Sequence, residues 1–326
     1  MAERVLLTGI SGYIGQHCGA ELLRHGYEVV GTVRSLSKAT STKAAIASVA
    51  PVENLTFVEV DLLSDNGWDE AVAGCTYVVH VASPFVLAEP KDENELITPA
   101  VEGTLRVIKA AQRAHVRRMV LTSSTFAMVG GRPSGRYGPG SWADLGVKIG
   151  AYAKSKMLAE LAAWNALPGG QMELTVINPG AVFGPSLGAE IDGQSVSLMK
   201  DMIGGKMPMI PNVSMGMIDV RDVARLHVAA LTASAASGKR FIAATAEPVS
   251  MAYFASVLRR AGYSKVPSRK APNVAIKLMG LFDREARGMV PSLGKMVSFD
   301  NQATFDVLGW QPTPMEASIV EMAASI

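Results

Sequence analysis

The stretch that most constrains the fold is "TGISGYIG" at residues 8–15, which lies between an apolar strand-like run and a helical pattern. Gly9, Gly12 and Gly15 let the backbone turn tightly, approach a pyrophosphate and pack a helix closely on a strand. The N-terminus of the following helix would offer unpaired N–H groups and a positive dipole end to phosphates. Because the motif stands at the start of the chain in this context, it predicts a dinucleotide-binding βα unit rather than an ordinary glycine-rich turn.

Strand-like runs then alternate with helical periods, as in "YEVVGTV", "LTFVEVD", "TYVVHVA", "RRMVLTSS" and "MELTVINPG". This alternation predicts an α/β fold, a doubly wound (Rossmann) parallel sheet with helices on both faces. Beyond residue 180 the alternation breaks. We expect a dinucleotide-binding domain over residues 1–180 and a smaller C-terminal α/β substrate lobe mainly over 181–326. Segments at about 215–245 are expected to return to the first domain.

Composition and charge narrow the classes of partner. The net charge is +2 and no dense run of Lys or Arg occurs, so we expect neither nucleic acid nor a membrane as partner. Two cysteines and five scattered histidines predict neither a disulfide framework nor a metal site. Without a signal-peptide pattern or an apolar run of membrane-span length, a cytoplasmic protein is expected. Its predicted partner is a small molecule, bound by a monomer or a homodimer.

The end of the second predicted strand indicates which dinucleotide binds. A ribose 2′-hydroxyl is usually held by a carboxylate there, whereas "TVRSLSK" carries Arg34 and no acid. A guanidinium pairs well with a 2′-phosphate, so Arg34 favours NADP(H), with Lys38 or Lys43 as a second cation. The alternative is that Arg34 is a solvated loop residue. Asp61, which closes the third strand, either contacts the adenine amino group or caps a turn.

A second motif lies in "AYAKSKMLAELAAW", residues 151–164, which is predicted to be helical. Residues four apart share one face of a helix, so Tyr152 and Lys156 project to the same side. A phenol with a pKa of about 10 is a slow proton donor at neutral pH. We expect the neighbouring ammonium to lower that pKa and bring Tyr152 into range for acid–base catalysis.

With both motifs in place, the chain resembles the extended short-chain dehydrogenase/reductase family over nearly its whole length. Residues 8–15 match T-G-x-x-G-x-x-G, and Tyr152 with Lys156 matches Y-x-x-x-K. The nearest likeness is to the dihydroflavonol reductase, cinnamoyl-CoA reductase and aldehyde reductase branch. The stretches "HVASP", "LTSS", "SWADL", "NPGAVFGP" and "IDVRDVARLH" carry it.

This resemblance implies an NADPH-dependent carbonyl reductase, reversible as an alcohol dehydrogenase. Tyr152 would donate a proton to the carbonyl oxygen as hydride arrives, and Lys156 would hold the nicotinamide ribose. A serine after the fifth strand would bind the substrate oxygen, and the family pattern favours Ser124 over Ser123. The catalytic prediction is therefore Ser124, Tyr152 and Lys156.

The predicted ligand contacts combine these motifs with matching segments of the family. The cofactor-binding set is Gly9, Ser11, Gly12, Tyr13, Ile14, Gly15, Arg34, Lys38, Asp61, Leu62, Val81, Ala82, Ser83, Thr122, Tyr152, Lys156, Pro179, Gly180 and Val182. The substrate-binding set is Phe85, Ser124, Phe126 and Tyr152, and no metal is expected. Further apolar candidates for the substrate side are Trp142, Phe183, Met199, Met202, Met207, Met209, Met215 and Met217. These apolar side chains either favour a hydrophobic or aromatic substrate or simply pack the small lobe.

Some positions depart from the family pattern. The interval from Ser124 to Tyr152 is shorter than in plant flavonoid and lignin reductases, and Arg106 stands where related reductases often have asparagine. Two other functions remain open: a nucleotide-sugar epimerase or dehydratase, and a non-catalytic NADP-binding regulator. A dehydratase would need acidic residues just after the serine, where "TFAMVGG" has none.

Overall fold

The computed structural model describes residues 2–83, 90–169, 172–188, 191 and 193–326, without the side chains of residues 284 and 285. Phe85, predicted to contact substrate, lies outside this description. The elements up to residue 180 are β1 (Arg4–Thr8), α1 (Tyr13–Arg24), β2 (Glu28–Val33), α2 (Ala39–Ala47), β3 (Leu55–Glu59), α3 (Trp68–Val72), β4 (Tyr77–His80), α4 (Asn94–Arg113), β5 (Arg118–Thr122), α5 (Phe126–Val129), β6 (Gly135–Tyr137), α6 (Ala151–Ala166) and β7 (Glu173–Pro179).

The later elements are shorter and less regular. They are β8 (Ala181–Phe183), α7 (Gln194–Ile203), β9 (Ser214–Met215), β10 (Met217–Asp219), α8 (Val220–Thr232), β11 (Arg240–Ala243), β12 (Val249–Ser250), α9 (Met251–Arg260), α10 (Asn273–Met279), α11 (Arg284–Met289), β13 (Val297–Phe299), α12 (Gln302–Leu308) and α13 (Met315–Ala324).

Within the described ranges, seven parallel strands form the central sheet in the order β11-β7-β5-β4-β1-β2-β3. The chain moves outward from β1 to β3 and then crosses back to β4 on the other side of β1. The doubly wound parallel sheet predicted from the sequence is therefore confirmed. A crevice opens at such a reversal, outside the carboxyl ends of β1 and β4, and ligands of open α/β sheets bind there.

Helices cover both faces of this sheet because its strands are apolar on both sides. On one face α3, α4 and α6 bury side chains such as Trp68, Ile108 and Ala163. On the other face α1 and α8 bury Leu22 and Leu226 in the larger core, which continues into the C-terminal lobe. Pro99 is accommodated inside α4, near its first turns. In the described part of the chain, no helix is long and apolar enough to cross a membrane.

Two short pairings join the C-terminal lobe to the sheet region. Strand β13 pairs in parallel with β6, and β10 pairs in parallel with β8. Strand β11, in the stretch "KRFIAA", extends the sheet beside β7. The last helix, α13, packs against α9, α7 and β10. The lobe is thus tied to the edge of the sheet that carries β7 and β11.

Three buried histidines sit in hydrogen-bonded positions within this frame. His80 bonds to Thr8 and Thr104, at 2.8 and 3.3 Å. His227 and His17 bond to backbone carbonyls, which only accept, so a ring nitrogen donates in each. Burial lowers the pKa of His80 to about 3 and the pKa values of His17 and His227 to about 4. All three are therefore neutral in the folded protein at pH 7.

This arrangement predicts acid sensitivity. The unfolded chain binds protons at histidine below pH about 6.5 and the folded protein does not. As the pH falls from 6.5 to the pKa of the folded protein, each buried histidine therefore lowers the free energy of unfolding by up to about 1.4 kcal/mol per pH unit. Urea unfolding at pH 7, 6 and 5 measures the slope. His227→Gln should reduce the slope; equal slopes for wild type and His227→Gln would contradict the assignment.

Candidate active site

The glycine-rich loop forms a cradle at the carboxyl end of β1. Gly9 adopts a φ of 70°, and a Cβ on Gly15 would lie 2.1 Å from the Gly9 carbonyl oxygen. The N-cap of α1 is Gly12, which has no side chain to bond the first-turn N–H groups, and no acidic residue occupies that turn. The helix end is thus open to an anion. These residues fit a dinucleotide pyrophosphate.

The wall of the cradle is formed by the end of β4. The Thr8 hydroxyl accepts the N–H groups of Val81 and Ala82 at 3.1 and 3.0 Å and also bonds to His80. A Cβ on Gly9 would lie 2.9 Å from the Ala82 Cα, so the two loops are in close contact. Ser83 follows directly and lines a small internal cavity with Ala82. The predicted cofactor residues of β1 and β4 therefore lie side by side.

Arg34 and Lys38 are exposed on the loop after β2, in line with binding of a 2′-phosphate. That loop is held by Glu59, whose carboxylate accepts the Leu36 N–H at 2.8 Å. Arg34 shows no burial or contact that would tie it to the protein interior.

The loop after β3 contains the predicted adenine contacts. Asp61 accepts the Leu63 N–H at 2.8 Å, so the turn-capping alternative is present; a contact with adenine stays a prediction. Arg106 donates to Leu62 O at 2.8 Å and to Asp65 Oδ1 at 2.5 Å. Arg106, the unexplained departure from the family pattern, thus clamps this loop onto α4.

Tyr13 and His17 contact a part of the fold that the sequence did not predict. The buried Tyr13 hydroxyl donates to Gly184 O at 2.6 Å, and the His17 ring bonds to Pro185 O at 2.9 Å. The side chain of Tyr13 therefore connects α1 to the turn after β8. Only its backbone is placed to meet a phosphate, together with that of Ile14.

The remaining predicted cofactor residues lie at the carboxyl ends of β5 and β7. The Thr122 hydroxyl bonds to His227 at 2.7 Å, which engages it with α8. The carbonyl of Pro179 accepts the Thr125 N–H, and a Cβ on Gly180 would lie 2.3 Å from Gly216 O. Val182 is buried in β8, and Ser11, in the glycine-rich loop, accepts a side-chain bond at its carbonyl. All of them border the crevice or support its walls.

The structure distinguishes the two serines after β5. The Ser123 hydroxyl donates to the Glu160 carboxylate at 2.6 Å. The Ser124 hydroxyl accepts the Phe126 N–H at 3.1 Å and bonds to the side chain of Tyr152. Ser124 is thus the serine that faces the tyrosine, whereas Ser123 is committed to the interior.

Tyr152 and Lys156 lie on α6, one turn apart. The Lys156 Nζ is 6.0 Å from the centre of the Tyr152 ring, and Phe126 meets that ring edge to face at 6.0 Å. The sequence predicted that the ammonium would lower the pKa of Tyr152, whereas in the structure this pKa lies above its ordinary value. Burial raises the pKa of Tyr152, and the bond from Ser124 only partly opposes the shift.

Burial acts on the lysine as well. It lowers the pKa of Lys156 to about 8, against an opposing contribution from the carboxylate of Glu160. At neutral pH the pair is therefore a protonated phenol beside a protonated amine. The phenol thus carries a proton at neutral pH, but its raised pKa makes it a weaker acid than an exposed tyrosine.

The sequence analysis missed Glu160, which continues the same helical stripe one turn beyond Lys156. The spacing Y-x-x-x-K-x-x-x-E was visible in the sequence and could have indicated it. Glu160 is fully buried and pairs with Arg240 at 2.5 Å. It joins the site to β11.

The apolar candidates divide into two groups. Phe126 is 46% exposed beside Tyr152, and Met209 is 36% exposed. Phe183 is buried against Phe254, so for this residue the packing alternative holds. The same is true of Met199, Met202 and Met217, which are buried in the larger core. Trp142 lies under the guanidinium of Arg240 at 3.9 Å, while Met207 and Met215 are half-buried.

Comparison with known proteins gives concordant results. The model of the family described as "NAD dependent epimerase/dehydratase family" matches residues 5–244. Cinnamoyl-CoA reductase CAD2 of Medicago truncatula is 34% identical over 243 residues, which cover 72% of this chain and 74% of that protein. The putative NADPH-dependent methylglyoxal reductase GRP2 of Candida albicans is 34% identical over 265 residues, covering 74% and 77%.

A solved structure shows the same architecture over the whole chain. The yeast methylglyoxal/isovaleraldehyde reductase Gre2 complexed with NADPH has a TM-score of 0.81 and 25% sequence identity. The match covers 99% of this chain and 98% of that one. The overall fold of this chain is therefore similar to that of this reductase.

The cradle makes a testable prediction. Gly15→Ala should weaken NADPH binding at least about tenfold, because the added methyl collides with the Gly9 carbonyl and distorts the loop. Fluorescence titration of NADPH measures the affinity. Gly140→Ala is the control, since a Cβ there meets nothing within 4 Å. Equal NADPH affinity for wild type and Gly15→Ala would show that the loop is not part of the NADPH-binding site.

Proposed function

The chain belongs to the NAD-dependent epimerase/dehydratase family, and from this premise we propose that it reduces a hydrophobic or aromatic aldehyde or ketone to the alcohol. The protein is an NADP-dependent oxidoreductase that acts on carbonyl groups. The observation that carries the finer proposal is the side-chain bond between Ser124 and Tyr152, with Lys156 one turn away, at the carboxyl end of the sheet.

The residues that would hold NADP(H) follow the crevice from one end to the other. The loop of residues 9–15 would hold the pyrophosphate, and Arg34 and Lys38 would hold the 2′-phosphate. Lys156 binds the nicotinamide ribose, as the family resemblance implies. When bound, the cofactor supplies a hydride to the carbonyl carbon.

Tyr152 acts as the general acid. The phenol is protonated at neutral pH, so it holds the proton that the carbonyl oxygen needs as negative charge develops there. Ser124 donates a hydrogen bond to the same oxygen and stabilises that charge. The protonated Lys156 then stabilises the phenolate that remains.

The proposed substrate class rests on the surroundings of Tyr152. The exposed ring of Phe126 offers an apolar surface directly beside the phenol. Trp142 packs beside α5 and α6, on Ala127, Ala143 and Met157, and adds apolar surface there. Met207 and Met215 are half-buried against the larger core, and the fully buried methionines contribute only packing. A flat or branched apolar carbonyl compound suits such a surface better than a charged nucleotide sugar.

A nucleotide-sugar epimerase would share the Tyr/Lys pair, and a dehydratase would add acidic groups after the serine. The segment after Ser124 forms α5, whose residues Phe126–Val129 are all apolar. The dehydratase reaction is therefore disfavoured.

A substrate panel tests the reaction class. NADPH oxidation should be rapid with aromatic and branched aliphatic aldehydes and ketones and absent with nucleotide sugars. Because Arg34 meets the 2′-phosphate, NADPH should be preferred over NADH by about tenfold or more. Turnover of a nucleotide sugar without net NADPH consumption would favour epimerisation instead.

The general acid is tested by Tyr152→Phe. Removing the hydroxyl should lower kcat by roughly a hundredfold or more and leave NADPH affinity nearly unchanged. Stopped-flow hydride transfer and NADPH fluorescence measure the two effects. Tyr253→Phe, on the exposed face of α9, is the matched control. Retained activity in Tyr152→Phe would overturn the mechanism.

A further inference from the structure

Glu160 is the most heavily bonded carboxylate in the described part of the chain. It lies on α6 one turn beyond Lys156 and two turns beyond Tyr152, with no exposed surface. Its five hydrogen-bond donors come from four side chains. They are Ser123 Oγ at 2.6 Å, Asn178 Nδ2 at 3.0 Å, Trp164 Nε1 at 3.3 Å, Arg240 Nε at 2.5 Å and Arg240 Nη2 at 3.3 Å.

Arg240 anchors this carboxylate from β11. Its guanidinium donates to the carbonyls of Pro139 and Ser141 at 2.7 and 2.6 Å and lies over the ring of Trp142. A buried charge requires a partner and full hydrogen bonding, and here both charges have them. The ion pair therefore joins three parts of the fold: helix α6, the edge strand β11 and the segment before α6.

The same carboxylate reaches both serines after β5. It binds the hydroxyl of Ser123 directly. Asn178, which donates to Glu160, also donates to the Ser124 carbonyl at 3.2 Å. Ser123 is thereby held toward the interior, and the backbone of Ser124 is held where its hydroxyl meets Tyr152.

Glu160 also meets Lys156 across a small internal cavity. The cavity has a volume of about 10 Å³, room for one water molecule, and both side chains line it. The other titratable group on its wall is His80 of β4, which is neutral. The remaining polar side chains of the lining are those of Ser83, Thr104, Thr122 and Ser123. Glu160 is thus the anion that faces Lys156, while Arg240 lies on the far side of the carboxylate.

We propose that Glu160 is a positioning residue of this reductase, which directs Ser124 rather than Ser123 to the substrate and keeps the buried Lys156 charged. This inference rests on the proposed function, because the serine, tyrosine and lysine must form its active site. Arg240 holds the carboxylate in place and Asn178 transmits its position to Ser124. The role differs from catalysis, since Glu160 has no exposed surface and its carboxylate accepts five hydrogen bonds from the protein.

The direction in which Glu160 shifts the pKa of Lys156 follows from the surroundings of the lysine. Burial lowers the pKa of its ammonium, and the carboxylate of Glu160 raises it. Removing the carboxylate should therefore deprotonate Lys156 at a lower pH. A merely structural residue would lower stability without moving this titration.

The test uses a pairwise replacement, Glu160→Gln with Arg240→Met, so that no unpaired buried charge remains. The matched control is Glu173→Gln with Arg118→Met. That Arg–Glu pair joins β5 and β7 at their opposite, amino ends, where Arg118 also binds carbonyls at the end of α8. Glu160→Asp serves as a variant that keeps the charge and the fold while drawing the carboxylate back toward the helix.

Two measurements are made on the full-length protein. The first follows the lysine Cε signals of ¹³C-labelled apoprotein over pH, with Lys156→Met used to assign the resonance. The second is the pH profile of kcat/KM for carbonyl reduction. In the double variant the midpoint for Lys156 and the alkaline limb should both move to lower pH by about one unit or more. Glu160→Asp should move them the same way by less, with at least a fivefold lower kcat.

The control pair should lower the unfolding midpoint and leave both titrations in place. Unchanged Lys156 midpoints in the double variant and in Glu160→Asp would overturn the inference, as would an equal shift in the control. If wild type reduces no carbonyl compound but the Lys156 midpoint shifts in the variants as stated, the proposed function fails and the electrostatic role of Glu160 stands. If wild type is active and the midpoint does not move, only the inference about Glu160 fails.

Discussion

The reversal of strand order between β1 and β4 is the constraint on which the rest of the structure depends. Parallel strands all end at the same edge of the sheet, and the reversal sends the chain to opposite faces after β1 and after β4, so that a crevice opens outside the carboxyl ends of these strands. The glycine-rich loop, the "VAS" segment after β4 and the serine pair after β5 are distant in sequence and become neighbours only through this topology. The close contact of Gly9 with Ala82 shows how tightly the two loops meet.

Burial controls the chemistry of the residues that line this crevice. It raises the pKa of Tyr152 and lowers that of Lys156, so the phenol keeps its proton and the amine holds its charge less firmly. The carboxylate of Glu160, one turn away from the lysine, opposes the lowering of the Lys156 pKa. The helical spacing of four therefore organises three groups with different tasks along one stripe of α6: Tyr152 toward the crevice, Lys156 behind it and Glu160 in the interior.

Short motifs made much of the site predictable. The glycine spacing in residues 8–15 and the Tyr/Lys spacing depend on local backbone geometry, which the sequence encodes directly. The ion pair of Glu160 and Arg240 was not predictable in this way, because its partners are separated by 80 residues. The sequence also did not decide whether the methionines pack in the core or line a ligand site, since methionine suits both. Only packing showed that Met199, Met202 and Met217 are interior.

The sequence by itself determined the parallel α/β architecture, the phosphate-binding loop, the absence of a carboxylate after β2 and the shared face of Tyr152 and Lys156. Each of these follows from residues within one or two turns or strands of each other. Tertiary structure alone decided that Ser123 turns inward, that Ser124 meets Tyr152 and that the tyrosine pKa rises. Those outcomes depend on which side chains share a buried space, and burial and long-range pairing arise only when the whole chain is folded.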